Sequence, residues 1–200
     1  CHQPHLPVSR LSGPARIAMV LLPQFPMVSV AAALDVLAES RRVLGVEAWQ
    51  VNLVSTDGQP VVSSAGSSLP VDFSIEAAGG EAPPDAVFVA SDTPLPQRGH
   101  DAIVHWLQRF ALPAPRQSVP RLFGGIGTGA WVLARAGLLR GCRATIHWPY
   151  ASLFAEDFPD TIVSSNLYEI DRSRLTCAGG TACIDMLLGW IGSQHGEEVV

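Results

Sequence analysis

The sequence predicts an α/β fold in which helices cover both faces of a mainly parallel sheet, giving a three-layer sandwich. Short apolar runs of strand length, such as Arg16–Leu22 (RIAMVLL), alternate with amphipathic segments of helix length, such as His100–Leu112. A run that is apolar at every position is typical of a strand buried on both faces, as in a parallel sheet. Ligands of such sheets bind beyond the carboxyl ends of the strands, so the loops that follow the strands form the candidate site.

The first half of the chain is predicted to contain three sheet strands and one long helix. After the strand Arg16–Leu22 comes the loop PQFPMV, and Ser29 is placed to cap a helix that ends at Leu44. The apolar side chains expected on this helix are Ala32, Leu34, Val36 and Leu37. Trp49–Ser55 (WQVNLVS) and Ala86–Ala90 (AVFVA) are the next strands, and the segment TDGQPVVSSAGSSLPV between them is typical of a turn and short hairpin.

The second half continues the alternation around a glycine-rich turn. The helix His100–Leu112 precedes the strand Arg121–Gly125, which leads directly into that turn. The remaining predicted elements are the strand Ala144–Trp148, the helix Ala151–Phe158, a hairpin of Leu167–Asp171 with Leu175–Cys177, and the helix Ala182–His195. No repeat or internal linker interrupts the pattern, so we expect one domain over residues 16–200. Residues 1–15, which precede the first predicted strand, are expected to be a flexible segment.

Composition limits the partners and the compartment. The net charge of −5 arises from 13 arginines against 18 acids without any lysine, so this chain by itself is not expected to bind DNA. The four cysteines form no C-x-x-C pair and the histidines show no ligand spacing, which indicates a reducing compartment and no metal. The polar, proline-rich start lacks the apolar core of a signal peptide, and Ala18–Ala38 is too interrupted to span a membrane. We therefore expect a cytoplasmic protein without a membrane partner.

The most informative motif is the turn after the strand Arg121–Gly125. Gly125-Ile126-Gly127-Thr128-Gly129 has the small-x-nucleophile-x-small layout of a nucleophile elbow, which lifts its central residue to the mouth of the sheet. That central residue is Gly127, which has no side chain that could attack a substrate. The pattern therefore predicts the scaffold of an enzyme site without catalytic residues, which suggests a sensor.

The turn allows two other interpretations. The first is a dinucleotide-binding fingerprint, because Gly125, Gly127 and Ala130 satisfy G-x-G-x-x-A. The motif comes late in the chain, however, and Thr145–His147 stands where a ribose-binding acid is expected, so no dinucleotide cofactor is predicted. The glycines could also serve only a tight turn and close helix packing. In either case the backbone N–H groups of residues 127–130 are expected to face the crevice and to bind an anion or carboxylate.

The loops that follow four predicted strands define the candidate ligand site for a small-molecule effector. His147 is singled out only by its predicted position beside the turn, and aromatic rings such as Trp148 could hold a cation, each contact worth roughly 0.5–2 kcal/mol. The predicted ligand-binding residues are Phe25, Pro26, Met27, Ser91, Asp92, Gly127, Thr128, His147 and Trp148.

Four segments of the chain carry a family resemblance. GGIGTGAWVLARAGLLRGCRATIHW, LLPQFPMVSVAAALDVL, LYEIDRSRLTCAGGTACIDMLLGWI and SQHGEEVV resemble the class I glutamine amidotransferase-like domains of the PfpI type that stand at the N-terminus of many AraC-family transcription regulators. The resemblance covers nearly all of residues 16–200 and implies a flavodoxin-like α/β sandwich and a homodimer. Enzymes of that superfamily use an elbow cysteine that is assisted by an acid. In this chain Gly127 stands at the position of the cysteine, and Ser29 stands near the position of the acid.

The resemblance implies a function for the chain. The most similar sub-group senses nitrogenous metabolites such as arginine, betaine or carnitine, so the chain is predicted to be a non-catalytic sensing and dimerisation domain. A residual PfpI-type hydrolase or related enzyme is the alternative, and a purely structural dimerisation module is a third hypothesis. DNA contact is expected only through a helix-turn-helix module beyond Val200.

Overall fold

A computed structural model describes residues 15–45, 48–80, 83–92, 100–112 and 121–196. The strands are β1 (Ala15–Leu21), β2 (Trp49–Ser55), β3 (Val61–Val62), β4 (Ser68–Leu69), β5 (Phe73–Ser74), β6 (Ala86–Ser91), β7 (Leu122–Gly127), β8 (Arg143–Ala144), β9 (Ile162–Val163), β10 (Tyr168–Asp171) and β11 (Arg174–Cys177). The helices are α1 (Met27–Leu44), α2 (Ile75–Ala78), α3 (His100–Ala111), α4 (Gly129–Arg135), α5 (Ala151–Asp157) and α6 (Ala182–His195).

The main sheet has seven strands in the order β10-β11-β7-β6-β1-β2-β5. Its pairs are parallel except for the terminal pair of β10 with β11, which forms the predicted antiparallel hairpin. The carboxyl ends of β1, β6 and β7 therefore meet at one edge of the sheet. The predicted flavodoxin-like α/β sandwich with a mainly parallel sheet is confirmed.

Two apolar cores separate the layers of the sandwich. On one face, α1 and α6 pack against alternate side chains of the central strands, among them Met19, Phe88 and Ile126. On the other face, α3 and α4 pack against the intervening side chains, such as Val20 and Val89. Strands that face a core on both sides have to be apolar at every position, which explains the uninterrupted runs in the sequence.

The long helix α1 begins earlier than its sequence indicates. Its N-cap is Pro26, without a side-chain cap, and the Ser29 hydroxyl instead donates a hydrogen bond to the Gly180 carbonyl at 2.9 Å. The buried residues of α1 are Ser29, Val30, Ala33, Leu37 and Ser40. Of the predicted core side chains only Leu37 is fully buried, while Ala32, Leu34 and Val36 are half-buried. The contact with α6 rotates the buried face toward the small residues Ser29 and Ala33.

The predicted strand Ala144–Trp148 is wrong beyond its start. Only Arg143–Ala144 pairs with another strand, β9, in a separate two-stranded sheet, and Trp148–Tyr150 forms a turn of 3₁₀ helix. Pro149 has no N–H for a ladder and a fixed φ, so it ends the extended run. The Tyr150 N–H closes the turn on the His147 carbonyl at 3.0 Å.

Most remaining elements match their predicted positions closely, whereas the short elements β5, α2 and β9 have no predicted counterpart. The bounds of β2 and α6 agree with the prediction, the hairpin of β3 with β4 is present, and β7 continues two residues further than predicted, to Gly127. Ala15, predicted to be flexible, opens β1, and residues 1–14 lie outside the described residues. Within the described ranges, no helix combines the length and apolarity that a membrane crossing needs.

Replacing Leu37 by Ala is expected to lower the free energy of unfolding by about 2–5 kcal/mol, because a buried aliphatic side chain leaves a cavity. The matched control is Leu34→Ala on the same helix, where the half-buried side chain is expected to cost clearly less. Urea unfolding followed by circular dichroism measures both. Equal losses would show that the buried face of α1 has been assigned to the wrong residues.

Candidate functional site

The glycine-rich turn connects β7 to α4 at the carboxyl edge of the sheet. β7 ends at Gly127, which has a φ of +64°, and Thr128 is the N-cap residue of α4. The register of the parallel ladder places Gly127 directly beside Ser91, the last residue of β6. The two strand ends therefore lie side by side at the crevice.

The turn leaves no room for a side chain at its central position. A Cβ built on Gly127 would lie 2.5 Å from the carbonyl oxygen of Ser91, a distance at which a real Cβ would force the backbone to move. A Cβ on Gly125 would lie 2.6 Å from the Ala130 nitrogen, and one on Gly129 would overlap the Val89 carbonyl oxygen. Close packing against β6 therefore accounts for Gly127 and Gly129, and the approach of α4 to β7 accounts for Gly125.

The backbone amide of Thr128 has a partner within the protein. Its N–H donates to the Ser91 carbonyl at 2.8 Å. The expectation that Thr128 offers a free N–H group to a ligand is therefore wrong. This donor is used because the turn packs so closely that Thr128 is within reach of β6.

Cys177, the last residue of β11, lies next to the turn. It pairs with Ile126 in the β7–β11 ladder and is fully buried. Burial raises the pKa of its thiol to about 12, against the smaller lowering by hydrogen bonds from the backbones of Gly179 and Gly127. Burial likewise raises the pKa of Cys183 to about 11. Thiolate, the nucleophilic form, is therefore disfavoured at both cysteines at neutral pH.

The segment after β11 closes the crevice beneath the turn. A Cβ on Gly179 would lie 3.6 Å from the Gly127 Cα and 3.9 Å from the Ser29 hydroxyl oxygen. The Ser29 hydroxyl is bound to Gly180, and the Cys183 thiol donates to the Ser29 carbonyl at 3.1 Å. The position that the resemblance places near a catalytic acid thus holds a buried, hydrogen-bonded hydroxyl. Gly179 and Gly180 belong to the segment TCAGGTA, which in the sequence served only to indicate the family resemblance.

The residues of the loop after β1 differ in their access to the crevice. Phe25 is fully buried in the core beside α1 and forms an isolated bridge with Ser63. Pro26 and Met27 are half-buried at the start of α1. Phe25 therefore anchors the loop in the core, while Pro26 and Met27 keep part of their surface exposed.

Two polar side chains stand at the end of β6. The Ser91 hydroxyl oxygen is buried and has no hydrogen-bond partner among the described residues. Asp92 is half-buried, and its Oδ1 would lie 3.7 Å from a Cβ on Gly127. A neutral donor and a carboxylate thus lie beside the turn, where a ligand with complementary groups could satisfy both.

A polar network holds the segment that carries His147. The Thr145 N–H donates to the Thr176 hydroxyl at 2.9 Å, and the Thr145 hydroxyl donates to the Asn166 carbonyl at 2.8 Å. Since Thr176 pairs with Gly125 in the main sheet, His147 follows at the same edge as Gly127. The segment reaches the crevice edge through side-chain hydrogen bonds, although it is not a strand of the main sheet.

His147 and Trp148 differ strongly in exposure. His147 is half-buried, and its ring centroid lies 6.3 Å from that of Trp148 and 6.0 Å from that of Tyr150. Trp148 is 78% exposed, which is unusual for so large an apolar ring. The three rings form an aromatic rim beside the crevice. Across residues 15–45, 48–80, 83–92, 100–112 and 121–196, no group of three His, Cys, Asp or Glu residues is placed to hold a metal ion.

The chain belongs to the DJ-1/PfpI family, whose sequence model matches residues 15–190. A crystal structure of an AraC family transcriptional regulator from Pseudomonas putida superposes with a TM-score of 0.78 at 26% identity, covering 93% of this chain and 95% of that one. The fold and the comparisons therefore define a DJ-1/PfpI-type domain of the kind that occurs in transcription regulators.

Two curated relatives make this class more specific. The HTH-type transcriptional regulator GbdR of Pseudomonas aeruginosa is 36% identical over 187 residues, which cover 94% of this chain and 48% of GbdR. The HTH-type transcriptional regulator CdhR of the same species is 36% identical over 180 residues, covering 90% of this chain and 51% of CdhR. The chain thus spans about half the length of the regulators it matches. The family also includes an isonitrile hydratase from Pseudomonas putida, 31% identical over 179 residues, covering 86% of this chain and 69% of the hydratase.

The variant Gly127→Ala is expected to lower the free energy of unfolding by about 2–5 kcal/mol. The alanine would be strained by the left-handed backbone conformation at this position, and its Cβ would clash with the Ser91 carbonyl oxygen. Gly141→Ala is the matched control, since Gly141 has the same φ of +64° and open space around a Cβ, and it should cost only about 1–2 kcal/mol. Urea unfolding measures both. If the two variants lose the same stability, the Ser91 carbonyl does not restrict position 127.

Proposed function

We propose that this chain is a non-catalytic sensing domain of a transcription regulator, and that a small-molecule effector binds in the crevice at the carboxyl edge of the sheet. The observation that carries the proposal is the packing of Gly127 against the Ser91 carbonyl, which leaves no space for a nucleophilic side chain at the elbow. A crevice whose described residues offer a hydroxyl donor, a carboxylate and an aromatic rim, with no side chain at the elbow position, is suited to binding rather than to bond cleavage.

The polar groups of the crevice support a zwitterionic or cationic nitrogenous metabolite as effector. The carboxylate of Asp92 can balance a cationic group, and the exposed face of Trp148 adds a cation–π contact of roughly 0.5–2 kcal/mol. The buried Ser91 hydroxyl can donate to the carboxylate of such a ligand. Arginine, betaine and carnitine combine these two groups and are the proposed effector class.

A residual enzyme is the second candidate function. It is favoured by the similarity to the isonitrile hydratase, and it would need a nucleophile other than residue 127. The nearest thiol, Cys177, is fully buried and has a pKa raised to about 12, which argues against cysteine-dependent catalysis at neutral pH. Turnover of an amide, isonitrile or aldehyde that is lost on thiol alkylation would favour the enzyme over the sensor.

The regulatory output is proposed to lie in a separate helix-turn-helix module. The chain carries a net charge of −5 and no lysine, whereas binding to DNA requires several cations that neutralise phosphates. Relatives of about twice the length are named as HTH-type regulators. We propose further that residues 16–200 form the sensing unit, that two copies pair to present two DNA-binding modules, and that the protein acts in the cytoplasm.

Replacing Asp92 by Asn is expected to weaken binding of the effector roughly tenfold or more, because a charge-assisted contact to the cationic group is lost. Isothermal titration calorimetry with arginine, glycine betaine and carnitine measures the affinity. Asp35→Asn is the matched control, since Asp35 is exposed on α1. Unchanged affinity in Asp92→Asn, or no binding of any of the three compounds, would contradict the proposed site or ligand class respectively.

The chain is expected to form dimers but not to shift DNA, whereas the full-length gene product should shift a promoter fragment. Light scattering gives the oligomeric state, and a mobility-shift assay at several salt concentrations compares the two proteins. A monomeric chain would contradict the dimerisation role. A full-length product that has no DNA-binding module would contradict the regulator hypothesis and favour the enzyme.

A further inference from the structure

A second cavity lies away from the crevice, on the sheet face over β1 and β2. It has a volume of about 270 Å³, close to the lower end of small-ligand sites. It is lined by Arg16, Ile17, Ala18, Gln50, Asn52, Val54, Phe73, Ala77, Ala78 and Pro84. None of these residues belongs to the candidate site at the carboxyl edge, so the cavity is a separate feature of the fold.

The cavity exists because helices cover the two faces of these strands unequally. On one face, α1 provides 18 residues of helix over the sheet. On the other face, α2 has only four residues, α4 contacts β6 and β7, and Phe110 of α3 packs against Phe123 of β7. The first half of β1 and β2 is therefore left open on this side, and the cavity floor is formed by Ala18 and Val54.

The register of the sheet brings three polar side chains to this open face. Arg16 pairs with Gln50 and Ala18 pairs with Asn52 in the parallel ladder, so the side chains of all four residues lie on the same side. Gln50 is exposed and Asn52 is half-buried. Neither carboxamide forms a side-chain hydrogen bond with another described residue, and each still offers two N–H donors and an acceptor to a ligand.

Among the described residues that line this cavity, Arg16 is the one with a formal charge. Its guanidinium forms no ion pair with residues 15–45, 48–80, 83–92, 100–112 or 121–196. The neighbouring acid, Asp85, accepts the backbone N–H of Arg16 at 2.9 Å and interacts electrostatically with Arg121, and it does not line the cavity. The charge of the Arg16 side chain is therefore available to an anion.

The opposite wall is apolar. Ala77 and Ala78 from α2, together with Pro84, face the polar side chains, and the ring of Phe73 is 46% exposed at the cavity. A guanidinium with two carboxamides on one side and a small apolar wall on the other is complementary to a carboxylate that carries a short hydrocarbon tail.

We propose that this cavity is a second binding site, for a small monocarboxylate with a short apolar tail. Arg16 holds the carboxylate as a bidentate partner, Gln50 and Asn52 donate to its remaining lone pairs, and Phe73 and Ala77 cover the tail. The site does not depend on the crevice, so it would give the domain an input separate from the proposed effector.

The test uses the full chain, 4-methylpentanoate as the probe, and its neutral analogue 4-methylpentanamide as the ligand control. In ¹H–¹⁵N spectra, the side-chain NH₂ signals of Gln50 and Asn52 should shift saturably at millimolar 4-methylpentanoate, while the indole signal of Trp148 stays unchanged. The amide should bind at least tenfold more weakly, because it cannot form the charged bidentate pair.

Two variants and one control make the result specific. Arg16→Gln should weaken binding of the probe at least tenfold, and Ala77→Phe, at an exposed position of α2, should block the tail. Arg41→Gln is the matched control, since Arg41 is exposed on α1, on the opposite face, and should leave the affinity unchanged. Absence of saturable shifts at Gln50 and Asn52, equal binding of the amide, or full affinity in Arg16→Gln would each overturn the proposal. Shifts confined to Trp148 would overturn it too, by assigning the carboxylate to the crevice.

Discussion

The approach of the β7–α4 turn to the backbone of β6 is the constraint on which the rest of the candidate site depends. Gly127 lies against the Ser91 carbonyl and Gly129 against the Val89 carbonyl, at distances that no side chain permits. The Thr128 N–H fixes this contact by donating to Ser91. Because interiors are close-packed, a turn seated this deeply cannot be enlarged at one position without moving the neighbouring strand.

The chemistry of the crevice follows from this packing. The described groups around the turn are the buried Ser91 hydroxyl, the Asp92 carboxylate and the rim of aromatic rings, while position 127 has no side chain. The nearby cysteines lie in β11 and α6, and burial raises the pKa of both thiols. The turn thus has the layout of a nucleophile elbow with a glycine at its centre, where a Cβ would lie 2.5 Å from the Ser91 carbonyl oxygen.

The site could be predicted from the sequence only where the residues belong to regular strands. Ser91 and Gly127 end strands whose apolar runs are unmistakable, and the ladder places them side by side as expected. His147 reaches the edge by a different route, through hydrogen bonds of Thr145 to Thr176 and Asn166, which no local pattern encodes. The buried ring of Phe25 and the Ser91 partner of the Thr128 amide likewise depend on residues far away in sequence.

The sequence by itself determined the α/β class, the main strands and helices along the chain and the glycine at the elbow, because apolar periodicity and glycine spacing are local properties of the chain. Tertiary structure alone decided which face of α1 is buried, where the Thr128 N–H finds its partner, and where an open sheet face leaves a second cavity. These outcomes depend on contacts between distant segments, such as Ser29 with Gly180 and Arg16 beside Gln50. Such contacts arise only when the layers pack, so no window of sequence contains them.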